Sequence, residues 1–296
     1  MTKDYSRLFV TTYITGGVGN QLFRIANVLA YAWKYSLTPI FKKSTKSLCP
    51  NEYWNIHFPR DVYWNNIFRN LQVIKKLPSK LVEFKEKYLF YNELPDPEKI
   101  LNLKKSTLRK NKGIIFDGYF GSAKYFDKYR EKLLSHIFYI DPLEKDYLKK
   151  KFADIFDENI ITVALHIRRG DTLLQTDRFT SLTETDYYQK SINFFEEKFS
   201  KNKLKFIIFS DDPEWSKNYM KTQFSKLNQI FPIEKDYIEL YLMSCCNHQI
   251  ISNSTFSWWA AYLNTFNEKI VCAPRNWFGP QGVKKHDLYI DDWIII

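Results

Sequence analysis

The second half of the chain alternates apolar, strand-like runs with helix-like segments, and this alternation constrains the fold more than any other feature. Ile160–Leu165 is a continuous apolar run, typical of a strand buried on both faces. Further strand-like runs cover residues 204–209, 248–252 and 270–273, and helical patterns cover 186–199, 213–224, 237–244 and 255–263. Strands that alternate with helices predict an α/β fold with a parallel sheet.

The N-terminal segment predicts one more strand, a glycine turn and a helix. Leu8–Ile14 is β-branched and aromatic, and apolar residues recur at helical spacing from Leu22 onward. The glycines of residues 16–21 let a ligand approach the backbone, and we expect the amides of Asn20 and Gln21 to point towards it. A plain strand–helix turn is the alternative. A dinucleotide fingerprint is incomplete, because Leu22 stands where its third glycine is expected.

The length of 296 residues predicts about two domains. We place the boundary in the charged stretch near residues 150–158, which gives an N-terminal domain of 1–153 and a C-terminal domain of 154–296. Residues 41–112 show no clean period and include five prolines, so loops and short helices are predicted there.

The chain is basic, with 44 Lys and Arg against 33 Asp and Glu and a net charge of +11. Positive charge attracts nucleic acid, phosphate groups and anionic lipid alike. The lysines are scattered along the chain, so a solvated basic surface is the simpler interpretation. The charge alone therefore assigns no function.

The sequence predicts a reducing, cytoplasmic location. No apolar run approaches the roughly 20 residues of a membrane span, and the first residues lack a signal-peptide core. The four cysteines form no zinc-binding spacing and no disulfide scaffold. We expect at most peripheral contact with a membrane.

Polar residues follow three of the predicted strands, at 166–171, 210–212 and 253–256. Ligands of open parallel sheets bind beyond the carboxyl ends of the strands. Arg168 and Arg169 carry forked donors that match phosphate oxygens, and Ser254 and Thr255 open a helix whose N-terminus favours an anion. Together they predict a diphosphate cradle that needs no metal.

Each of these segments also has a plainer interpretation. Arg168 and Arg169 fit an ordinary surface pair, and Asn253–Thr255 fits a plain helix N-cap. Ser210–Asp212 does not have the D-x-D spacing of metal-binding glycosyltransferases, so a structural or nucleoside contact is favoured there.

Taken together, the motifs resemble family 11 of the glycosyltransferases, the α-1,2-fucosyltransferases. The matching segments occur in the family's order, and those at 166–171 and 253–259 are the most specific. The segments are residues 16–23, 117–120, 124–126, 166–171, 242–246, 253–259, 273–274 and 277–278.

The resemblance implies a GT-B fold, with two Rossmann-like domains facing a cleft. The donor is then GDP-β-L-fucose, held mainly by the C-terminal domain, and the acceptor is a galactose-ended glycan engaged largely by the N-terminal domain. It implies inversion at the anomeric carbon and no metal or other cofactor. Nucleic acid is not an expected partner.

The wider group of α-1,2-, α-1,6- and protein O-fucosyltransferases implies roles for the residues after the first strand of the second half. Arg168 is expected to clamp the β-phosphate, and Arg169 and Asp171 to brace its loop, with a pairing between the two as one arrangement. His166 is expected to contact the nucleoside or phosphate.

The same resemblance implies that the start of the helix lies under the diphosphate and that the N-terminal turn reaches the donor. The residues concerned in the helix are Asn253, Ser254, Thr255 and Phe256. Those in the turn are Gly19 and Asn20, with Asn20 reaching the phosphate or fucose.

One residue departs from the family's pattern, and the general base is not assigned. Where the family usually has an Asp suited to guanine N1 and N2, this chain has Glu239, which keeps the carboxylate but is one methylene longer. Asp171 is one candidate for the general base, with a structural role as the alternative.

Two other functions compete with α-1,2-fucosyl transfer. A GDP-fucose-dependent enzyme could form an α-1,3 or α-1,6 linkage or use rhamnose or a peptide. A non-catalytic, basic polyanion-binding protein is the remote alternative. Residues 41–112, in which no motif is evident, decide between the linkages.

Overall fold

The computed structural model describes residues 8–47, 59–101, 113–174 and 176–296, and the side chain of Asp171 lies outside this description. The chain divides into two compact units, residues 1–139 with 285–288 and residues 140–284 with 289–296. Assigning acceptor and donor roles to two domains stays a prediction.

Unit 1 is an α/β unit around a parallel sheet. Its strands and helices in chain order are β1 (Phe9–Thr12), α1 (Val18–Tyr35), β2 (Thr38–Pro39), β3 (Phe41–Lys42), β4 (Val73–Ile74), β5 (Val82–Lys85), α2 (Pro97–Leu101), β6 (Gly113–Asp117) and α3 (Arg130–Ile137). The main sheet has the order β2-β1-β6-β5, and β3 pairs with β4. Among the described residues these strands pair in parallel, and an isolated bridge between Lys46 and Asp61 is antiparallel.

Unit 2 contains a six-stranded parallel sheet. Its elements are α4 (Pro142–Lys151), β7 (Ile161–Ile167), α5 (Tyr187–Lys198), β8 (Leu204–Ser210), α6 (Pro213–Gln223), β9 (Gln229–Ile230), α7 (Asp236–Cys245), β10 (His248–Ile250), α8 (Thr255–Leu263), β11 (Val271–Ala273) and β12 (Ile294–Ile295). The strand order is β12-β11-β10-β7-β8-β9. The predicted α/β class with parallel sheets is therefore confirmed.

The apolar run that ends at Ile167 forms the middle of this sheet. β7 lies between β10 and β8, and all its residues after Ile161 are buried. A strand covered on both faces favours apolar side chains, and its two buried polar side chains are hydrogen-bonded, Thr162 to Asn247 and His166 to Ser252. The charged side chains of Arg168 and Arg169 follow directly where the strand leaves the sheet.

The prediction for residues 41–112 was incomplete. Besides loops and the short helix α2, the described part of this region contains three short strands, of which β5 is an edge strand of the main sheet.

Among the described residues, no helix is both long and apolar enough to span a bilayer. Of the four cysteines, Cys49 lies outside the described residues.

Candidate functional site

Arg168 and Ser254 meet at the carboxyl edge of the second sheet. Arg168 directly follows β7, and Ser254 follows the neighbouring strand β10 and caps α8. Because the strands are parallel neighbours, their ends come together. Arg168 Nη1 donates a hydrogen bond of 3.1 Å to Ser254 Oγ, which also accepts from the Phe256 amide at 3.3 Å. The guanidinium is thus fixed at the positive end of a helix.

His166 lies buried behind this pair, as the last but one residue of β7. Its Nδ1 is 2.7 Å from Ser252 Oγ, and its ring centroid is 5.3 Å from that of Phe256. Burial, assisted by the positive charge of Arg168, lowers the pKa of His166 to about 3. The imidazole is therefore neutral at physiological pH. Its predicted contact with the donor stays a prediction.

Arg169 turns towards the end of β8 and holds the loop after β7 in place. Its amide donates to Asp211 Oδ1 at 2.8 Å, and its Nε donates to Asp212 Oδ2 at 3.2 Å. Its guanidinium carbon lies 3.7 Å from the centre of the Trp215 ring, a close cation–π contact. Asp211 and Asp212 thus have structural contacts, and Trp215 is a site residue that no sequence pattern singled out.

Asp171 lies in the short 3-10 helix Gly170–Leu174 that continues this loop. Its side chain lies outside the described part of the chain, so its pairing with Arg169 and its place as a general base stay predictions. The described ion-pair partner of Arg169 is Asp212.

Asn253 connects the start of α8 to two other loops. Its buried amide donates to Thr180 O at 2.8 Å and to Trp277 O at 3.0 Å. These bonds fix the backbone before the helix. Thr255 and Phe256, in the first turn of α8, are only partly buried. The residues predicted to lie under the diphosphate therefore form one connected turn.

Glu239 lies in the first turn of α7, and its Oε1 accepts a hydrogen bond of 3.1 Å from the Glu234 amide. Burial, together with the negative charges of Asp236, Glu234 and Asp211, raises its pKa to about 7 despite the opposing effect of that hydrogen bond. One carboxylate oxygen thus already accepts a hydrogen bond, and the carboxyl group is partly protonated near neutral pH. Guanine recognition by Glu239 stays a prediction.

Gly19 and Asn20 lie in unit 1, in the first turn of α1 after the N-cap Gly17. Gly16 has a φ of 71°, and a Cβ there would lie 2.7 Å from Asn20 Nδ2.

The expectation that the Gln21 amide points towards a ligand was wrong. Its amide is buried and donates to Gly16 O at 2.9 Å and to Asp61 O at 3.0 Å, so it fixes the turn.

The described part of unit 2 brings together His166, Arg168, Ser254 and Phe256, with Arg169 beside them on Asp212. Within the described ranges, no three His, Cys, Asp or Glu side chains are grouped as metal ligands would be. The arrangement offers a fixed cation and a helix N-terminus at a strand edge. Such an arrangement can stabilise negative charge on a phosphate.

The fold of the chain is similar to that of the crystal structure of POFUT1 in complex with GDP. The TM-score is 0.53 at 13% sequence identity, over 90% of this chain and 97% of the other. POFUT1 in complex with GDP-fucose gives a TM-score of 0.52 at 14% identity, over 90% and 96%. This likeness shows the fold and confirms the predicted GT-B class.

The amino-acid sequence has relatives among characterised glycosyltransferases. The O-antigen biosynthesis glycosyltransferase WbnK of Escherichia coli is 30% identical over 95% of this chain and 98% of its own length. An alpha-1,2-colitosyltransferase of Escherichia coli is 33% identical over 62% of each chain. A galactoside 2-alpha-L-fucosyltransferase of Caenorhabditis elegans is 26% identical over 86% of this chain and 69% of its own.

A family model described as glycosyl transferase family 11 matches residues 2–296, which is almost the whole chain. The resemblance found in the sequence motifs is thereby confirmed, and the non-catalytic alternative loses its basis. The chain belongs to glycosyl transferase family 11 and is a glycosyltransferase.

Proposed function

We propose that the enzyme transfers L-fucose from GDP-β-L-fucose to the 2-hydroxyl of a galactose-type sugar in a glycan, with inversion and without a metal ion. One observation carries this proposal: the hydrogen bond from Arg168 to Ser254, which fixes a guanidinium at the N-terminus of α8. A diphosphate leaving group needs positive charge at this kind of position.

In the proposed reaction, the acceptor oxygen forms a bond to C1 of fucose while the bond from C1 to the β-phosphate oxygen breaks. The electron pair of the breaking bond goes to the phosphate, and the hydroxyl proton passes to a base or to solvent. Negative charge therefore grows on the phosphate as GDP departs. Donors at that oxygen strengthen in the transition state and so raise the rate.

Arg168 is the donor in the proposed role, and α8 adds the partial positive charge of its first turn. Ser254 binds Arg168 and caps α8, so it fixes the guanidinium relative to the helix. Arg169 contacts Asp212 and Trp215 and thereby holds the loop after β7 in place. Asn20, next to Gly19, is proposed to contact the phosphate or the fucose. Glu239 is proposed to accept hydrogen bonds from the guanine edge.

Colitose is a second candidate for the transferred sugar, because a relative with 33% identity is named an alpha-1,2-colitosyltransferase. Colitose is fucose without the 3-hydroxyl, so the same diphosphate site would serve both. Other linkages remain alternatives for either sugar, since α-1,3 or α-1,6 transfer, or transfer to rhamnose or a peptide, would use the same leaving group.

The test is a transfer screen with GDP-fucose and GDP-colitose as donors. The acceptors are galactose-, N-acetylglucosamine- and rhamnose-ended glycans and a peptide, and NMR of the product determines the linkage and anomeric configuration. We expect an α-1,2-fucosyl galactoside. A thermal-shift comparison of GDP, UDP and NAD should show the largest stabilisation with GDP. Transfer to another position, or no response to GDP, would overturn the proposal.

A further inference from the structure

The carboxyl ends of β1, β6 and β5 in unit 1 carry a second cluster of polar and aromatic side chains. These strands are parallel neighbours, so the residues that follow them lie at one edge of the sheet. We call this set the first-sheet cluster; its members are Tyr13, Arg24, Glu86, Asp117 and Tyr119. None of them has a part in the diphosphate site described above.

Glu86 shapes the backbone of the cluster. Its carboxylate accepts hydrogen bonds from the Tyr119 amide at 2.7 Å and from the Phe120 amide at 3.0 Å. Phe120 has a φ of 53°, a left-handed conformation that is uncommon for a non-glycine residue. A Cβ on Gly118 would lie 2.3 Å from Glu86 Cβ, so only glycine permits this approach. The fold thus holds Tyr119 in a fixed, strained turn.

Arg24 is a buried cation in the middle of the cluster. It is 3% exposed, and its guanidinium carbon lies 4.9 Å from the centre of the Tyr119 ring. Its Nη1 donates to Tyr13 O at 3.3 Å and lies 4.0 Å from Asp117 Oδ1, while its Nε has no hydrogen-bond partner within the described residues. Burying a guanidinium is costly, and an unused buried donor is rarer still. Arg24 is therefore a buried cation whose facing carboxylate, that of Asp117, is partly exposed.

Asp117 ends β6, and 38% of its side chain is exposed. Its carboxylate faces Arg24, and in the described part of the chain no hydrogen bond to that carboxylate is formed. An ionised carboxylate has about four lone-pair sites and only accepts hydrogen bonds. Asp117 is thus a partly exposed carboxylate, positioned by Arg24, that can accept further hydrogen bonds from a ligand.

The charges and rings of the cluster define the ligand that it suits. At this edge the three carboxylates of Glu83, Glu86 and Asp117 outnumber the cations Arg24 and Lys85, which disfavours a phosphate or other anion. No metal-binding group of three such side chains occurs in the described ranges. Tyr13 and Tyr119 are partly exposed aromatic rings, and flat apolar faces beside a carboxylate suit a neutral molecule that carries hydroxyl groups.

We propose that the first-sheet cluster binds the acceptor sugar, with Asp117 accepting hydrogen bonds from its hydroxyls and Arg24 holding that carboxylate in position. This inference rests on the proposed transfer to a sugar hydroxyl. Arg24 follows Asn20 by four residues on α1, so both lie on one face of the helix. The proposed donor contact and the proposed acceptor contact are therefore one helical turn apart.

The test separates acceptor use from donor use. For Asp117→Asn, kcat/KM for the acceptor that the native enzyme uses best should fall about 10- to 100-fold, because a hydrogen bond to a charged group is lost. Hydrolysis of GDP-fucose without acceptor, and GDP affinity by calorimetry, should stay within about twofold, since the nucleotide is proposed to bind unit 2. The matched control is Glu93→Gln, which removes one negative charge from an exposed pair with Lys34.

Neutralising Asp117 leaves Arg24 without its ion-pair partner, so this variant could fail to fold. Asp117→Glu keeps the charge and displaces the carboxylate by one methylene, and it should still lower acceptor kcat/KM by about tenfold. Native-like transfer by folded Asp117 variants would overturn the inference, as would equal losses of transfer, hydrolysis and GDP binding. If the native enzyme neither binds GDP nor transfers fucose, the proposed function itself fails.

Discussion

Arg168 Nη1 lies 3.1 Å from Ser254 Oγ, and this hydrogen bond joins the end of β7 to the start of α8. Both residues project from the same edge of the sheet because β7 and β10 are parallel neighbours. Ser254 uses its oxygen twice, as the helix cap and as the acceptor for Arg168. The position of the guanidinium is therefore set by backbone structure on two sides.

Arg168→Ala should lower kcat for fucosyl transfer by about 10²- to 10³-fold, because it removes a donor that acts on developing charge. The side chain is only partly buried, so the melting temperature should stay close to that of the native enzyme. Steady-state kinetics and thermal melts measure both. Arg275→Ala, in the same unit and exposed, is the control. Turnover retained at the native level would remove Arg168 from the phosphate-binding role.

Ser254→Ala should affect both stability and rate. Loss of the N-cap costs about 1 kcal/mol of unfolding free energy. Loss of the hydrogen bond to Arg168 should also lower kcat by about tenfold, because a hydrogen bond to a charged group is worth about this much. Urea melts and kinetics measure the two effects, with the exposed Ser200→Ala as control. A variant that loses stability but keeps full kcat would show that Ser254 acts only as a cap.

Arg169→Lys tests the brace on Trp215. Lysine keeps the charge opposite Asp212 but loses the planar group that lies 3.7 Å from the indole. We expect kcat to fall several-fold with little change in GDP affinity, since the loop that carries Arg168 gains freedom. Trp215→Leu should reproduce the loss through the other partner. If both variants match the native kcat, the brace does not position Arg168.

The sequence predicts the parts of this site that depend on local pattern. The mostly apolar run of β7 is typical of a strand buried on both faces, and the charged residues after it must lie at the sheet edge. Ser254 before an apolar helical segment is a strong N-cap signal, and the structure has it as the cap. These inferences need no knowledge of distant contacts.

Other parts depend on contacts between distant residues and leave no local signal. The stacking of Arg169 on Trp215 follows from the register of β7 and β8, in which Ile167 lies opposite Ser210. β5 was missed because it is a four-residue edge strand with alternating burial, in a region rich in proline. Gln21 looked like a ligand contact, although its amide binds the backbone of Gly16 and Asp61.

Transfer should be insensitive to chelators. The proposed neutralisation of the leaving phosphate comes from Arg168 and the first turn of α8, so removal of free divalent ions takes away no required charge. Initial rates are compared before and after dialysis against EDTA, and again after Mn²⁺ or Mg²⁺ is added back. A metal-dependent glycosyltransferase assayed in parallel confirms that chelation was effective. Loss of activity that either ion restores would contradict a metal-free cradle.

The affinity for GDP-fucose should increase with pH through the pKa of Glu239. That pKa is about 7, and only the ionised carboxylate can accept both guanine N–H groups. Between pH 6 and pH 8 the ionised fraction rises about tenfold, and the affinity should follow it. GDP-fucose is the suitable ligand, because its esterified β-phosphate does not titrate in this range, whereas the terminal phosphate of GDP does. Calorimetry at several pH values measures the slope.

Glu239→Gln is the control for this pH dependence, because it removes the titration and keeps the size of the side chain. Its affinity should be lower at pH 8 and nearly constant with pH. Stability gives an independent check with a defined sign. The folded pKa of about 7 exceeds the ordinary value of 4.5, so stability from Glu239 is full below pH 4.5 and is lost as the pH rises through 7. The native enzyme should therefore lose stability relative to Glu239→Gln over that window, and parallel pH profiles of the two proteins would refute the shifted pKa.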